Sequence, residues 1–249
     1  MRQNSIPQNL IEKLREKKHR VEKKLFLVEG ATSLLELIGS EYEIDTLVIS
    51  EDFYKNYRSK IENNEINYVI AHEGEIRKLS SLENNTDGIA VVKQMVFTLP
   101  AKKQGMYIAL DSVRDPGNLG TIIRIADWYG IDTIVASEDT TDFYTPKAIS
   151  ATMGSFTRVK VVYTNLFNFL ENCNLPILGA YLEGTSVHEF NFPKEGVLVI
   201  GNESNGISTR IKHFINNKIT IPKYGDAESL NAGISTAVIL DNWKRSISG

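Results

Sequence analysis

Three short stretches of this 249-residue chain combine residue types that could do chemistry. In DPGNLGTIIR, residues 115–124, Asn118 offers both a donor and an acceptor beside Gly117 and Gly120, which permit close backbone approach. Arg124 lies about 200° from Ile122 at helical spacing. The helix therefore turns Ile122, Ile125, Ala126 and Tyr129 to a core and Arg124 away from it, toward whatever the glycine-rich joint faces. In GNESNG, residues 201–206, Glu203 sits in a tight turn, where a carboxylate needs partners, and an Arg from a neighbouring strand end is the natural one. In SLN, residues 229–231, Ser229 can cap a helix facing inward through Leu230, Ile234, Ala237 and Val238, with Asn231 in its first turn among free N–H groups. Gly233 within that helix suggests close packing against chain or ligand. Each stretch alone also reads as plain structure: a capped helix with a surface Arg, a turn, and an amphipathic helix closing a domain.

The elements that must position these residues alternate. From residue 106, strands in MYIALD, DTIVAS, RVKVVY, LPILGAY, EGVLVIG and NKITIP are separated by helical segments, among them TPKAISATM. Near-continuous apolar runs such as ILGAY and VLVI fit a parallel sheet covered on both faces, where ligands bind beyond the carboxyl ends of strands. Asp115 is placed to cap the first helix, with Pro116 at its first position. Before this region come a basic helix to about Lys18, a strand in KLFLVEG, a helix in ATSLLELIG and a strand in DTLVIS, an order that predicts a small αβα sandwich. Polar LPAKKQG, residues 99–105, is the expected linker between domains 1–98 and 106–249.

Composition narrows the function. Apolar residues make up 42% and charged residues 24%, as in ordinary globular proteins, and no apolar run reaches about 18 residues. The expectation is a cytoplasmic protein without membrane or metal: Cys173 is alone, and the four His are scattered without ligand spacing. No G-x-G-x-x-G follows a strand and no Walker-type loop occurs, which disfavours a generic nucleotide-using α/β enzyme. Net charge is −3, yet EKLREKKHRVEKK, residues 12–24, holds seven Lys or Arg against three Glu, so the rest of the chain carries −7. That run is either a solvated helix face or an arm that contacts phosphates.

With the three stretches in order at strand ends, residues 106–243 resemble the SpoU (TrmH-type) branch of the SPOUT RNA methyltransferases: NLGTIIR, GNESNG, and SLN preceded by Ile221-Pro222. The amino-terminal part, with HRVEKKLFLVEGATSLLEL, is similar to that family's L30e/L7Ae-like substrate-binding domain. The resemblance implies an α/β fold whose carboxyl-terminal parallel sheet is tied in a deep trefoil knot, a homodimer, S-adenosylmethionine as cofactor, and methylation of a ribose 2′-hydroxyl of RNA. Ribosomal RNA is the expected substrate, with transfer RNA, or a catalytically silent RNA-binding module, as alternatives.

Carried onto this chain, the family's cofactor site falls on Gly201, Ile221 and Leu230, with Ser229 and Asn231 adjacent and Tyr181, Leu182 and Glu183 bordering it. Its catalytic set falls on Asn118, Arg124, Glu203, Ser229 and Asn231. Arg124 is the family's proposed base. Because a guanidinium stays charged, it would otherwise bind a phosphate or stabilise the developing alkoxide, with Asn118 and Glu203 orienting it. Lys17, Lys18, Arg20 and Arg114, together with Arg158 and Lys160, are the expected RNA contacts. After SLN the family commonly continues with Val and small residues; AGIST here predicts local repacking.

Overall fold

The computed structural model describes residues 5–100 and 104–247; the centre of the expected linker, 101–103, lies outside them. The chain forms two compact units, residues 1–95 with 142–157, and residues 96–141 with 158–249.

In the first unit α1 (Gln8–Leu14) and α2 (Lys17–Lys23) precede β1 (Leu25–Glu29), α3 (Ala31–Leu37), β2 (Ile44–Ile49), α4 (Glu51–Asn63), β3 (Tyr68–Ile70), α5 (Glu73–Leu79) and β4 (Gly88–Lys93). The sheet has the order β1-β4-β2-β3, with β4 antiparallel to both neighbours and β2 parallel to β3. Ile11 and Leu14 of α1 pack with Leu27, Val48, Ile89 and Val91. The basic run is two helices rather than one, and its chemistry divides. Lys17 and Lys18 are exposed, whereas Arg20 is 2% exposed and unavailable to RNA. Its guanidinium pairs with Asp142 at 2.8 Å and donates to the carbonyls of Leu14 and Arg15, free acceptors at the end of α1.

The second unit begins with β5 (Met106–Leu110), α6 (Pro116–Trp128) and β6 (Thr133–Ser137). The chain then contributes α7 (Pro146–Ala151) to the first unit, although residues 106–249 read as one domain. The reason is aromatic: Tyr144 packs tilted against Phe26 and Phe156 meets it edge to face, with ring centroids 4.5 and 6.2 Å away, and the Tyr144 hydroxyl donates to the Met95 carbonyl. The second unit resumes with β7 (Lys160–Thr164), α8 (Leu166–Glu171), β8 (Ile177–Ser186), β9 (Gly196–Ile200), α9 (Thr209–Lys212), β10 (Asn217–Thr220) and α10 (Ala232–Ile247).

Its sheet is parallel throughout, in the order β10-β8-β9-β5-β6-β7. Strands β5, β6 and β7 run outward in one direction, and the later strands fill the other side. The order therefore reverses between β5 and β9, the place where open α/β sheets bind ligands. Leu110 pairs with Ile200 there, which brings residues 111–115 and 201–206 side by side.

α10 begins at Ala232 and runs beside α6 in the same direction, with contacts between Gly233 and Thr121 and between Tyr129 and Asp241. A Cβ on Gly233 would lie 2.7 Å from Thr121 Cγ2, so the glycine lets the two helices approach. The buried face is Thr236, Ile239, Leu240 and Trp243, not the expected Leu230, Ile234, Ala237 and Val238; Leu230 and Ile234 are half exposed. Trp243 sets this register by stacking on Phe192 and donating its indole N–H to the Pro193 carbonyl at 2.7 Å.

Candidate active site

Asp115 caps α6 as expected, accepting from the Asn118 N–H at 2.9 Å with Pro116 inside the cap. This fixes the first turn of α6 at the end of β5 and presents the Asn118 side chain. After β9 the chain folds back tightly: Asn202 and Gly206 bond to each other's backbone, and Gly206 has φ +65°. A Cβ on Gly201 would lie 2.3 Å from Gly206 C and Ile207 N, so the turn itself demands glycine there.

The three stretches meet through side chains. Asn118 Nδ2 donates to Glu203 Oε1 at 2.8 Å, and Asn231 Nδ2 donates to Asn118 Oδ1 at 2.7 Å. Asn231 Oδ1 in turn accepts from the N–H groups of Gly233 and Ile234. Asn231 is thus the cap of α10, the role expected of Ser229, and is not in its first turn.

The carboxylate of Glu203 also finds partners other than the expected Arg. The backbone N–H groups of Arg114 and Asp115 each donate to it at 3.2 Å. Burial raises its pKa, but donation from Asn118 and from the backbone N–H groups of Glu203, Arg114 and Asp115 outweighs that, and it ionises below the ordinary glutamate value.

Arg124 stands apart. It is exposed on α6 and makes no hydrogen bond or ion pair among the described residues, so Asn118 and Glu203 orient each other rather than Arg124. Ser229 is likewise exposed and unbonded among them. Of the other expected RNA contacts, Arg114 pairs with Asp139 at 3.0 Å, and Arg158 chelates Asp127, with Nη2 to Oδ2 at 2.8 Å.

Around the expected cofactor positions the chain leaves polar groups to spare. The Tyr181 hydroxyl is buried without a partner, and burial, reinforced by the charge of Asp111, keeps its pKa above the ordinary phenol value. Residues 223–230, which lead from β10 to α10, are exposed and make no backbone hydrogen bond among the described residues. Leu182 and Leu230 are exposed apolar side chains, and Ile221 is half-buried. No group of His, Cys, Asp and Glu among the described residues could hold a metal ion, and no helix is long and apolar enough to cross a membrane.

One group escaped the sequence reading. Asp139, just past β6, accepts from Ser112 Oγ at 2.5 Å and from Ser137 Oγ at 2.7 Å, besides its pair with Arg114. The Ser112 hydrogen bond is the main cause that lowers its pKa; partial burial opposes it, and Ser137 and Arg114 add to the lowering. The signal was available, because Asp139 follows a strand end of the same parallel sheet.

Residues 105–241 match the SpoU rRNA Methylase family, and residues 9–90 match an MRM3-like substrate binding domain. The first match spans more than half of the chain, which therefore belongs to the SpoU rRNA methylase family. Over 232 residues, 92% of either protein, the chain is 27% identical to the 23S rRNA (guanosine(2553)-2′-O)-methyltransferase of Bacillus subtilis. The AdoMet-bound rRNA methyltransferase from Sinorhizobium meliloti superposes with a TM-score of 0.85 at 28% identity, over 98% of this chain and 97% of that one. A TrmH-family protein from Porphyromonas gingivalis does so with a TM-score of 0.83 at 30% identity, over 98% of each.

Proposed function

We propose that this chain transfers a methyl group from S-adenosylmethionine to a ribose 2′-hydroxyl of ribosomal RNA, acting as a homodimer. The carrying observation is the hydrogen-bonded chain Asn231–Asn118–Glu203, which joins all three sequence stretches at the reversal point of the sheet. The names of the relatives support the substrate and reaction: the Bacillus subtilis protein is named a 23S rRNA 2′-O-methyltransferase and the Sinorhizobium meliloti one an rRNA methyltransferase.

The cofactor fits the residues present. Gly201, Ile221 and Leu230 would hold it largely through backbone groups, which residues 223–230 leave unpaired, and the orphaned Tyr181 hydroxyl supplies a further polar contact. Bound there, it supplies an electrophilic methyl on a sulfonium. The protein's part is to place the hydroxyl behind that methyl and to stabilise the charge left as its proton departs. Asn118 and Asn231 position the ribose, and Glu203 holds Asn118 in place. Arg124, always charged, binds the adjacent phosphate or the developing alkoxide. Ser229, in the exposed segment that leads into α10, would line the same pocket. Lys17 and Lys18 contact phosphates from the first unit.

The dimer reading is supported by Trp128 on α6, 84% exposed, and by Ile234 and Leu230 at 54% and 50%. These large apolar side chains flank Arg124 and the start of α10, and a second copy of the chain would cover them. We also infer that the carboxyl-terminal part of this parallel-sheet unit, which includes the connection from β10 to α10, is tied in a deep trefoil knot.

The test is to incubate the protein with labelled S-adenosylmethionine and, separately, ribosomal and transfer RNA from a strain lacking the gene, then map new 2′-O-methyl groups. One labelled ribosomal position is expected. Label confined to transfer RNA would replace the substrate, and cofactor binding without transfer to either RNA or to precursor particles would leave a binding module.

A further inference from the structure

We propose that Asp139 is a positioning residue that aims the Arg114 guanidinium at an RNA backbone phosphate flanking the target ribose, an inference that rests on the proposed reaction. Arg114 starts beside the candidate centre, since its own N–H donates to Glu203 Oε2 at 3.2 Å. Its side chain places Nη2 on Asp139 Oδ2 at 3.0 Å, while Nε and Nη1 have no partner among the described residues. The two side chains are 62% and 50% exposed, and pairs so exposed add almost nothing to stability. The pair instead holds a half-used fork in one direction, and a guanidinium fork matches phosphate geometry.

Asp139 is itself built into place. Ser137, 8% exposed, donates to Asp139 Oδ1, accepts from the Ser112 N–H at 2.9 Å and lies 3.0 Å from Thr140 Oγ1. Ser112 donates to Asp139 Oδ2 from a left-handed backbone conformation, φ +61°, that a serine rarely adopts. Asn202 secures it from the other side by donating to its carbonyl at 2.8 Å. Such strain persists only where the surroundings over-determine it, and it concentrates at functional sites.

The fork rims a pocket of about 210 Å³ lined also by Ser112, Asn202, Asn205 and Ser208, with Asp111 at 5% exposure. The Asp111 carboxylate, which accepts from the Ser208 N–H at 2.6 Å, repels an anion from the interior. The phosphate therefore sits at the rim on Arg114, and the pocket takes a neutral part of the same nucleotide.

The experiment measures steady-state methylation of ribosomal RNA by the full-length wild type, R114A, D139N and the R114A/D139N double variant. R114A and D139N should each raise KM for RNA about tenfold with kcat and S-adenosylmethionine affinity near wild type, and the double variant should match R114A alone. R114A should also flatten the log–log salt dependence of RNA binding by about 0.7 to 0.9. If D139N fails to fold, as read by thermal melting, S112A takes its place with a smaller rise in KM, and R114K should not restore the fork. An unchanged KM in R114A, or single effects that multiply in the double variant, overturns the proposal while the reaction stands. A wild type that methylates no RNA overturns both.

Discussion

Asn118 donates its side-chain amide to Glu203 at 2.8 Å, so one hydrogen bond locks the first turn of α6 to the loop after β9. Asn231 closes the same chain from the cap of α10. Removing Asn118 should therefore disturb two loops at once. Asn118→Ala is expected to cost about 1 kcal/mol of stability per lost hydrogen bond and to lower methyl transfer about a hundredfold through misplacement of the reacting groups. Kinetics with saturating cofactor would check it, and wild-type turnover would remove the network from the mechanism.

Arg124 makes no contact that the fold needs. Arg124→Ala should leave unfolding, oligomeric state and cofactor affinity near wild type, while methyl transfer falls about 10²- to 10³-fold. Retained turnover would assign the charge stabilisation elsewhere.

The basic run separates into two experiments. Arg20→Ala leaves the partly buried Asp142 carboxylate without its guanidinium and the Leu14 and Arg15 carbonyls without a donor, and should lower stability by about 3 kcal/mol in urea denaturation. Lys17→Ala with Lys18→Ala should leave stability alone, weaken RNA binding and flatten its salt dependence. An unchanged salt slope would make the exposed lysines a solvated helix face only.

Glu203 and Asp139 both ionise below their unfolded values of 4.5 and 3.8. A carboxylate depressed in this way contributes its stability fully above the unfolded pKa and loses it as pH falls through the folded one. Thermal stability should accordingly be level from neutral pH to about 5 and decline below 4.5. Glu203→Gln should decline less steeply with acid, and an identical acid profile would show that Glu203 contributes nothing to it.

Asn231 carries a structural and a proposed catalytic role together. Asn231→Ser keeps a capping oxygen but loses the amide given to Asn118. Stability should change by only a few tenths of a kcal/mol, while methyl transfer drops. Equal losses in Asn231→Ala and Asn231→Ser would tie activity to the amide; full activity in the serine variant would reduce Asn231 to a helix cap.

The sequence by itself determined the local features: the succession of strands along the chain from residue 106, the Asp115–Pro116 start of α6, the parallel sheet implied by two-sided apolar runs, and the three stretches whose order marks the family. These follow from propensity, capping and periodicity, which depend on residues a few positions apart. Only the tertiary structure decided which partners meet across the sheet reversal. Asn118 and Glu203 are 85 residues apart, Asn118 and Asn231 are 113 apart, and Arg20 and Asp142 are 122 apart. Periodicity alone could not say that Trp243 would rotate α10 and leave Leu230 and Ile234 outward, nor that Tyr144 and Phe156 would carry residues 142–157 into the first unit. It could not give Glu203 its backbone donors either, because those N–H groups become available only where β5 and β9 pair and end together.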